Sequence, residues 1–209
     1  MTKIIDDIVA QAVAENKNIL IIGAPRSGTH ALGSMIANNN SFKYNGEIFR
    51  LDINFSWQDD FNMLADHSNI SVSQLVQYTS KIKLSKYINE FKKHGIFVNL
   101  RRRDKLKQFA SWVYFNRYHN ASGWHSQTIE FNENLVGRFL ITDEDIELFL
   151  VEQLLDSFYA PAYTLYYENL IFEGATQTKN VYKFDLTTIF SNLEFVKDQL
   201  ADWHYPDEQ

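Results

Sequence analysis

The chain of 209 residues contains no cysteine. Disulfides, thiolate metal sites and cysteine nucleophiles are all excluded. No apolar run approaches the ~18 residues that a membrane-spanning helix needs. The N-terminus, Met-Thr-Lys-Ile-Ile-Asp-Asp, carries acids where a signal peptide requires bases. A soluble cytoplasmic protein is therefore expected. Positive charge is in deficit: 20 Lys and Arg face 26 Asp and Glu, a formal net charge of −6. Neither nucleic acid nor membrane is expected as a partner. Any anionic ligand must be held by locally focused positive charge. Repeats, low-complexity tracts and linkers are also missing, so a single domain over residues 1–209 is expected. What the chain does have is aromatic bulk for a substantial core, with 16 Phe and 11 Tyr.

The stretch that organises the chain is Asn18-Ile-Leu-Ile-Ile-Gly-Ala-Pro-Arg-Ser-Gly-Thr-His30. Ile19 to Ile22 form an unbroken apolar run, which predicts a buried strand of a parallel sheet. Gly23 and Gly28 bracket a turn holding Pro25, Arg26 and Ser27. Helical spacing begins at Thr29, with Leu32, Met35 and Ile36 on one face. A strand, a Gly-bracketed loop and a helix start aim backbone N–H groups and a helix dipole at an anion. The nucleotide-hydrolase pattern is G-x-x-x-x-G-K-[ST]. Here Thr29 stands at the Lys position and His30 at the hydroxyl position. The cation for the outer phosphates and the Mg²⁺ hydroxyl are both missing, while Arg26 puts a cation inside the loop. The spacing predicts an anion site without the parts that handle Mg-ATP.

Pro25-Arg26-Ser27-Gly28-Thr29 resembles the 5′-phosphosulfate loop, P-[KR]-S-G-T, of sulfotransferases that use 3′-phosphoadenosine 5′-phosphosulfate (PAPS). The resemblance implies that these residues and His30 bind the phosphosulfate, with Arg26 and His30 close to the transferred group.

Strands alternating with helices along the chain predict a three-layer α/β fold with a mainly parallel sheet. The expected elements are a helix over 3–15 with Ile4, Ile8 and Ala12 on one side, a strand over 41–48, and mostly loop over 50–70. A helix over 71–93, capped by Ser71 or Ser73, and a strand over 96–100 follow. Helices over 104–118 and 143–159 flank an excursion or lid over 119–141. Strands over 163–167 and 181–185 precede a last helix that starts at a capping box, Ser191-x-x-Glu194, and runs to about Trp203. Ligands of such sheets bind at the carboxyl ends of the strands.

At one such end lies Asn99-Leu-Arg-Arg-Arg-Asp104. If the strand extends that far, alternation puts Arg101 and Arg103 on one face and Arg102 on the other. Asp104 is placed to cap the next helix, and Ser111 follows Arg103 by two turns of that helix. An Arg fork and a helix hydroxyl at this spacing can converge on one phosphate. The same sulfotransferases bind their 3′-phosphate with an Arg, then Asp or Asn, then a Ser eight residues after the Arg. The resemblance therefore implies that role for Arg103 and Ser111.

Leu165-Tyr-Tyr-Glu-Asn-Leu170 is similar to the family's Y-E-[DN]-L segment, which implies that Tyr167 lies beside the adenine. The family's C-terminal R-K-G segment is absent, and Lys179-Asn180 is the only basic candidate there. Asn45-Gly46-Glu47-Ile48-Phe49 resembles the G-x-x-E-[YF]-F segment of bacterial carbohydrate sulfotransferases, with shorter spacing. This implies Glu47 as the base that takes the acceptor proton. His67, His119 and His125 are reserve bases. No H-x-x-x-H or H-E-x-x-H pattern suggests a metal, and none is expected.

The expected activity is sulfuryl transfer from PAPS to a hydroxyl of a carbohydrate or small molecule. A P-loop small-molecule kinase and a non-catalytic nucleotide-binding module remain as alternatives.

Overall fold

The computed structural model describes residues 3–48, 57–66, 68–75, 89, 91–114, 116–117, 139–153, 161–170 and 186–205. They fall into two compact units, Met1–Arg101 with Leu155–Thr178, and Arg102–Leu154 with Lys179–Gln209.

Among the described residues the first unit is built on a five-stranded, entirely parallel sheet. Its strands are β1 (Asn18–Ile22), β2 (Lys43–Ile48), β3 (Ser71–Leu75), β4 (Gly95–Arg101) and β5 (Tyr163–Tyr166), in the order β2-β3-β1-β4-β5. β1 is central because its side chains are apolar on both faces. Ile19 and Ile21 join Val72, Val98, Leu100 and Leu165 under α1 (Lys3–Glu15) and α2 (Thr29–Asn40). Leu20 and Ile22 point the other way, into Phe97, Leu64 of α3 (Trp57–Ala65) and Phe91. Helices thus cover both faces of the sheet, and the three-layer α/β expectation holds. Each fully buried Ile or Leu of this kind contributes about 1.5–3 kcal/mol.

The amino end of the sheet is tied by Asn18. Its Nδ2 donates to the Leu64 carbonyl at 2.9 Å, and its Oδ1 accepts from both the backbone N–H and the hydroxyl of Ser71, each at 2.9 Å. α1 buries Ile5, Ile8 and Ala12, so Ile5 replaces Ile4, which is exposed.

Three expectations are corrected over residues 50–103. Residues 71–75 form a buried strand, not the start of a helix; of the expected helix over 71–93, residue 89 and residues 91–94 are helical. Within the 50–70 stretch expected to be mostly loop, Trp57–Ala65 is a helix. β4 ends at Arg101, so the condition for alternation through Arg103 is not met: Arg101 is buried, Arg102 half-buried and Arg103 exposed.

The second unit packs α4 (Lys105–Tyr114), α5 (Asp143–Gln153), a short helix at Leu186–Ile189 and α6 (Leu193–Ala201) around aromatic side chains. Phe109 is central. Its ring lies 5.1 Å from that of Phe149, 5.7 Å from Phe190 and 5.8 Å from Trp112. Asp104 caps α4 as expected, its Oδ1 accepting from the Lys107 N–H at 2.9 Å. Thr142 and Asp145 form a reciprocal capping pair at the start of α5, and Arg117 clamps Asp145 at 2.6 and 2.7 Å. The expected Ser191-x-x-Glu194 box is not formed. The cap position of α6 is Asn192 without a side-chain cap bond, because its amide pairs with the backbone of Ile141 instead. Ser191 donates to the Phe139 carbonyl. The expected strand over 181–185 and most of the expected excursion over 119–141 lie outside the described residues.

Candidate functional site

The carboxyl end of β1 runs into a turn closed by the Ser27 N–H donating to the Ala24 carbonyl at 3.1 Å. Pro25 fixes the first central position at negative φ, and Arg26 follows at φ 66°. A proline followed by a left-handed residue makes this a type II turn. The second central position of such a turn ordinarily holds Gly or Asn, so an Arg there stores backbone strain.

Ser27 is fully buried, and its Oγ has no hydrogen-bond partner among the described residues. The hydroxyl faces into the loop: a Cβ on Gly23 would stand 2.6 Å from it. A buried hydroxyl without a partner costs about 1–3 kcal/mol unless something accepts or donates there. Gly28, at φ 99°, then opens α2 with no side-chain cap. The first backbone N–H groups of α2 have no intrahelical acceptor, and the positive end of its dipole lies at the loop. The loop combines a guanidinium, a hydroxyl and uncapped N–H groups, the equipment for a phosphate- or sulfate-like anion.

Tyr167 lies beside this loop. A Cβ on Gly28 would meet its ring carbons at 2.6 and 2.7 Å, so only glycine admits the ring there.

His30 and Glu47 meet on the α2–β2 side of the sheet. His30 Nε2 is 3.1 Å from Glu47 Oε1, and His30 Nδ1 is 3.0 Å from the Tyr44 hydroxyl. Gln74 Nε2 donates to the same hydroxyl. Burial raises the pKa of the Tyr44 phenol, and the charge of Glu47 adds to this, while hydrogen bonds to Gln74 and Ser34 oppose it. The phenol therefore keeps its proton.

The reason Tyr44 and Glu47 share a face is a bulge. The pairing of β2 with β3 shifts between Tyr44, opposite Val72, and Gly46, opposite Ser73, leaving Asn45 as an extra residue. Three residues apart would otherwise mean opposite faces. Asn45 is itself anchored by donating to Ser73 Oγ at 3.0 Å.

Arg103 belongs to the second unit, where it lines an open cleft of about 500 Å³ with Lys105, Lys197, Trp203, His204 and Tyr205. Lys105 is buried there. Its Nζ donates to Gln108 and Gln153 at 3.1 Å and to the Tyr205 hydroxyl at 2.5 Å, and it lies 4.7 Å from the Trp203 ring centre. Burial opposes ionisation of Asp104, but hydrogen bonds and charge from Lys107, with the charge of Arg102, hold its carboxyl below the usual range. Ser111 is buried on α4 and is not part of the cleft lining.

Of the residues expected from the sequence, Pro25, Arg26, Ser27, Gly28, Thr29, His30, Glu47 and Tyr167 all lie in the first unit, and Arg103 and Ser111 in the second. Lys179, His67, His119 and His125 lie outside the described residues. Sequence reasoning missed Tyr44 and Gln74, because the bulge that turns Tyr44 toward His30 leaves no periodic signal. It also missed Lys197 and His204 beside Arg103. Their position after a helix of ordinary amphipathic pattern marks nothing. Among the described residues no group of three His, Asp or Glu side chains is arranged to hold a metal ion.

Comparison of the chain with family models, with curated proteins and with solved structures finds no match.

Proposed function

We propose that the chain is a PAPS-dependent sulfotransferase acting on a hydroxyl of a carbohydrate or small molecule. The observation that carries this reading is the fully buried, unpartnered hydroxyl of Ser27 inside a loop that also offers Arg26 and the uncapped start of α2. A hydroxyl in that position suits an anionic oxygen of the 5′-phosphosulfate. Thr29 and His30 stand where a Mg-ATP loop would need Lys and a metal-binding hydroxyl, which favours a donor handled without Mg²⁺.

In the proposed reaction the acceptor oxygen attacks sulfur. The bond from sulfur to the bridging oxygen of the phosphosulfate breaks, and 3′,5′-adenosine bisphosphate leaves with that oxygen. The acceptor proton passes to Glu47, which His30 orients at 3.1 Å. Arg26 offsets the charge that develops on the leaving phosphate. Tyr167, against Gly28, is assigned to the adenine. Arg103 and Ser111 are assigned to the 3′-phosphate on the sequence resemblance, and Lys179 keeps the same assignment from sequence alone.

The test is transfer of labelled sulfuryl from PAPS across a panel of sugar and small-molecule alcohols. Labelled product with any acceptor supports the reading. Label that stays on PAPS across a broad panel, in protein that also fails to bind the bisphosphate, counts against it.

A further inference from the structure

We propose that Tyr44 and Gln74 are positioning residues that fix which nitrogen of His30 carries the proton. The assignment follows from counting donors. The Gln74 amide donates to the phenol oxygen of Tyr44, and the carboxylate of Glu47, which can only accept, lies 3.1 Å from His30 Nε2. The phenol has one proton of its own, and His30 Nδ1 lies 3.0 Å away. With the Gln74 amide already donating to its oxygen and Nε2 committed to Glu47, the phenol gives that proton to Nδ1. A neutral imidazole then carries its hydrogen on Nε2, aimed at Glu47 Oε1 at 3.1 Å. A carboxylate that accepts such a bond is held in one orientation.

The arrangement is held rigid. The Tyr44 ring is wedged against α2, where a Cβ on Gly33 would stand 2.6 Å from Cε2. Gln74 is buried in β3 directly opposite Glu47 in the sheet register. The bulge at Asn45 is what lets one strand present both Tyr44 and Glu47 to His30. His30 is itself largely exposed, its side chain keeping 63% of its free surface, so without Tyr44 only the Glu47 carboxylate would bias its tautomer.

The tautomer assignment stands on geometry alone; its use in proton transfer rests on the sulfotransferase reading. The experiment is side-chain ¹⁵N NMR of histidine-labelled protein at a pH where the imidazole is neutral, with His30 assigned by its loss in His30→Gln. The expected wild-type spectrum shows His30 with Nε2 protonated and Nδ1 bare. Tyr44→Phe keeps the ring against Gly33 and removes the hydroxyl, so only Glu47 is left to hold the proton on Nε2 and the share of His30 protonated on Nδ1 should rise. Gln74→Met, which removes the donor to the phenol, should move it in the same direction. A wild-type His30 protonated on Nδ1, or a spectrum unchanged in both variants, would overturn the proposal. The expected spectra together with failure to transfer sulfuryl or bind the bisphosphate would sink the sulfotransferase reading and leave the positioning role intact.

Discussion

His30 Nε2 and Glu47 Oε1 stand 3.1 Å apart, although His30 lies in the first turn of α2 and Glu47 near the end of β2, 17 residues later. The contact gives the carboxylate a fixed direction at the carboxyl end of β2. Glu47→Gln preserves an acceptor for His30 and removes the proposed base. Single-turnover transfer from PAPS should slow by about 10²–10⁴-fold, the usual contribution of a general base, with affinity for 3′,5′-adenosine bisphosphate unchanged. Near-normal transfer would move the base elsewhere, to His67, His119 or His125 first.

Arg26 occupies a left-handed position that an L-residue takes at a cost of about 1–2 kcal/mol, part of which glycine recovers. Arg26→Gly should therefore leave the thermal midpoint unchanged or slightly higher. The same variant should bind the bisphosphate roughly 10–150-fold more weakly, corresponding to the loss of one charge-assisted bond of about 1.5–3 kcal/mol. Calorimetry beside a melting curve reads both. Weaker binding accompanied by a large drop in midpoint would show that Arg26 serves the fold instead.

Arg103 is assigned to the 3′-phosphate only. Arg103→Ala should weaken 3′,5′-adenosine bisphosphate by about 1.5–3 kcal/mol while hardly changing 5′-AMP. Ser111→Ala should act in the same direction to a smaller degree. Equal weakening of the two ligands would mean that these residues do not read the 3′ position.

Much of this arrangement was legible in the sequence where local pattern and tertiary role agree. The apolar run Ile19 to Ile22, the Gly-bracketed loop and the acids at the start of α5 each report one element directly. β3 was not legible. Ser71, Ser73 and Gln74 are polar yet buried, because Asn18, Asn45 and Tyr44 supply their partners from 53, 28 and 30 residues away. Such long-range pairing makes a buried strand read like a polar helix start. The Asn192 cap failed for a similar reason: the side chain that would serve α6 satisfies the backbone of Ile141 instead. The grouping of His30 with Tyr44 depends on a single extra residue in β2, which no periodicity reveals.

Glu152 gives a prediction about stability. Burial raises its pKa, against the opposing hydrogen bond that Trp112 Nε1 donates at 2.7 Å. The folded chain thus binds this proton more tightly than the unfolded chain. Stability is lost as pH rises from the ordinary value near 4.5 through the raised folded value. Glu152→Gln keeps an acceptor for Trp112 without the buried charge. Its thermal midpoint should exceed that of the wild type at pH 7, with the gap closing toward pH 4. A gap of the same size at both pH values would assign it to something other than ionisation.

The most direct test of the proposed anion loop and of a metal-free donor is calorimetric titration with 3′,5′-adenosine bisphosphate in the presence of a chelator, repeated with added Mg²⁺ and with ADP. The account predicts saturable binding to the bisphosphate that Mg²⁺ does not strengthen, and clearly weaker binding of ADP. Binding that requires Mg²⁺, or equal affinity for ADP, would contradict it.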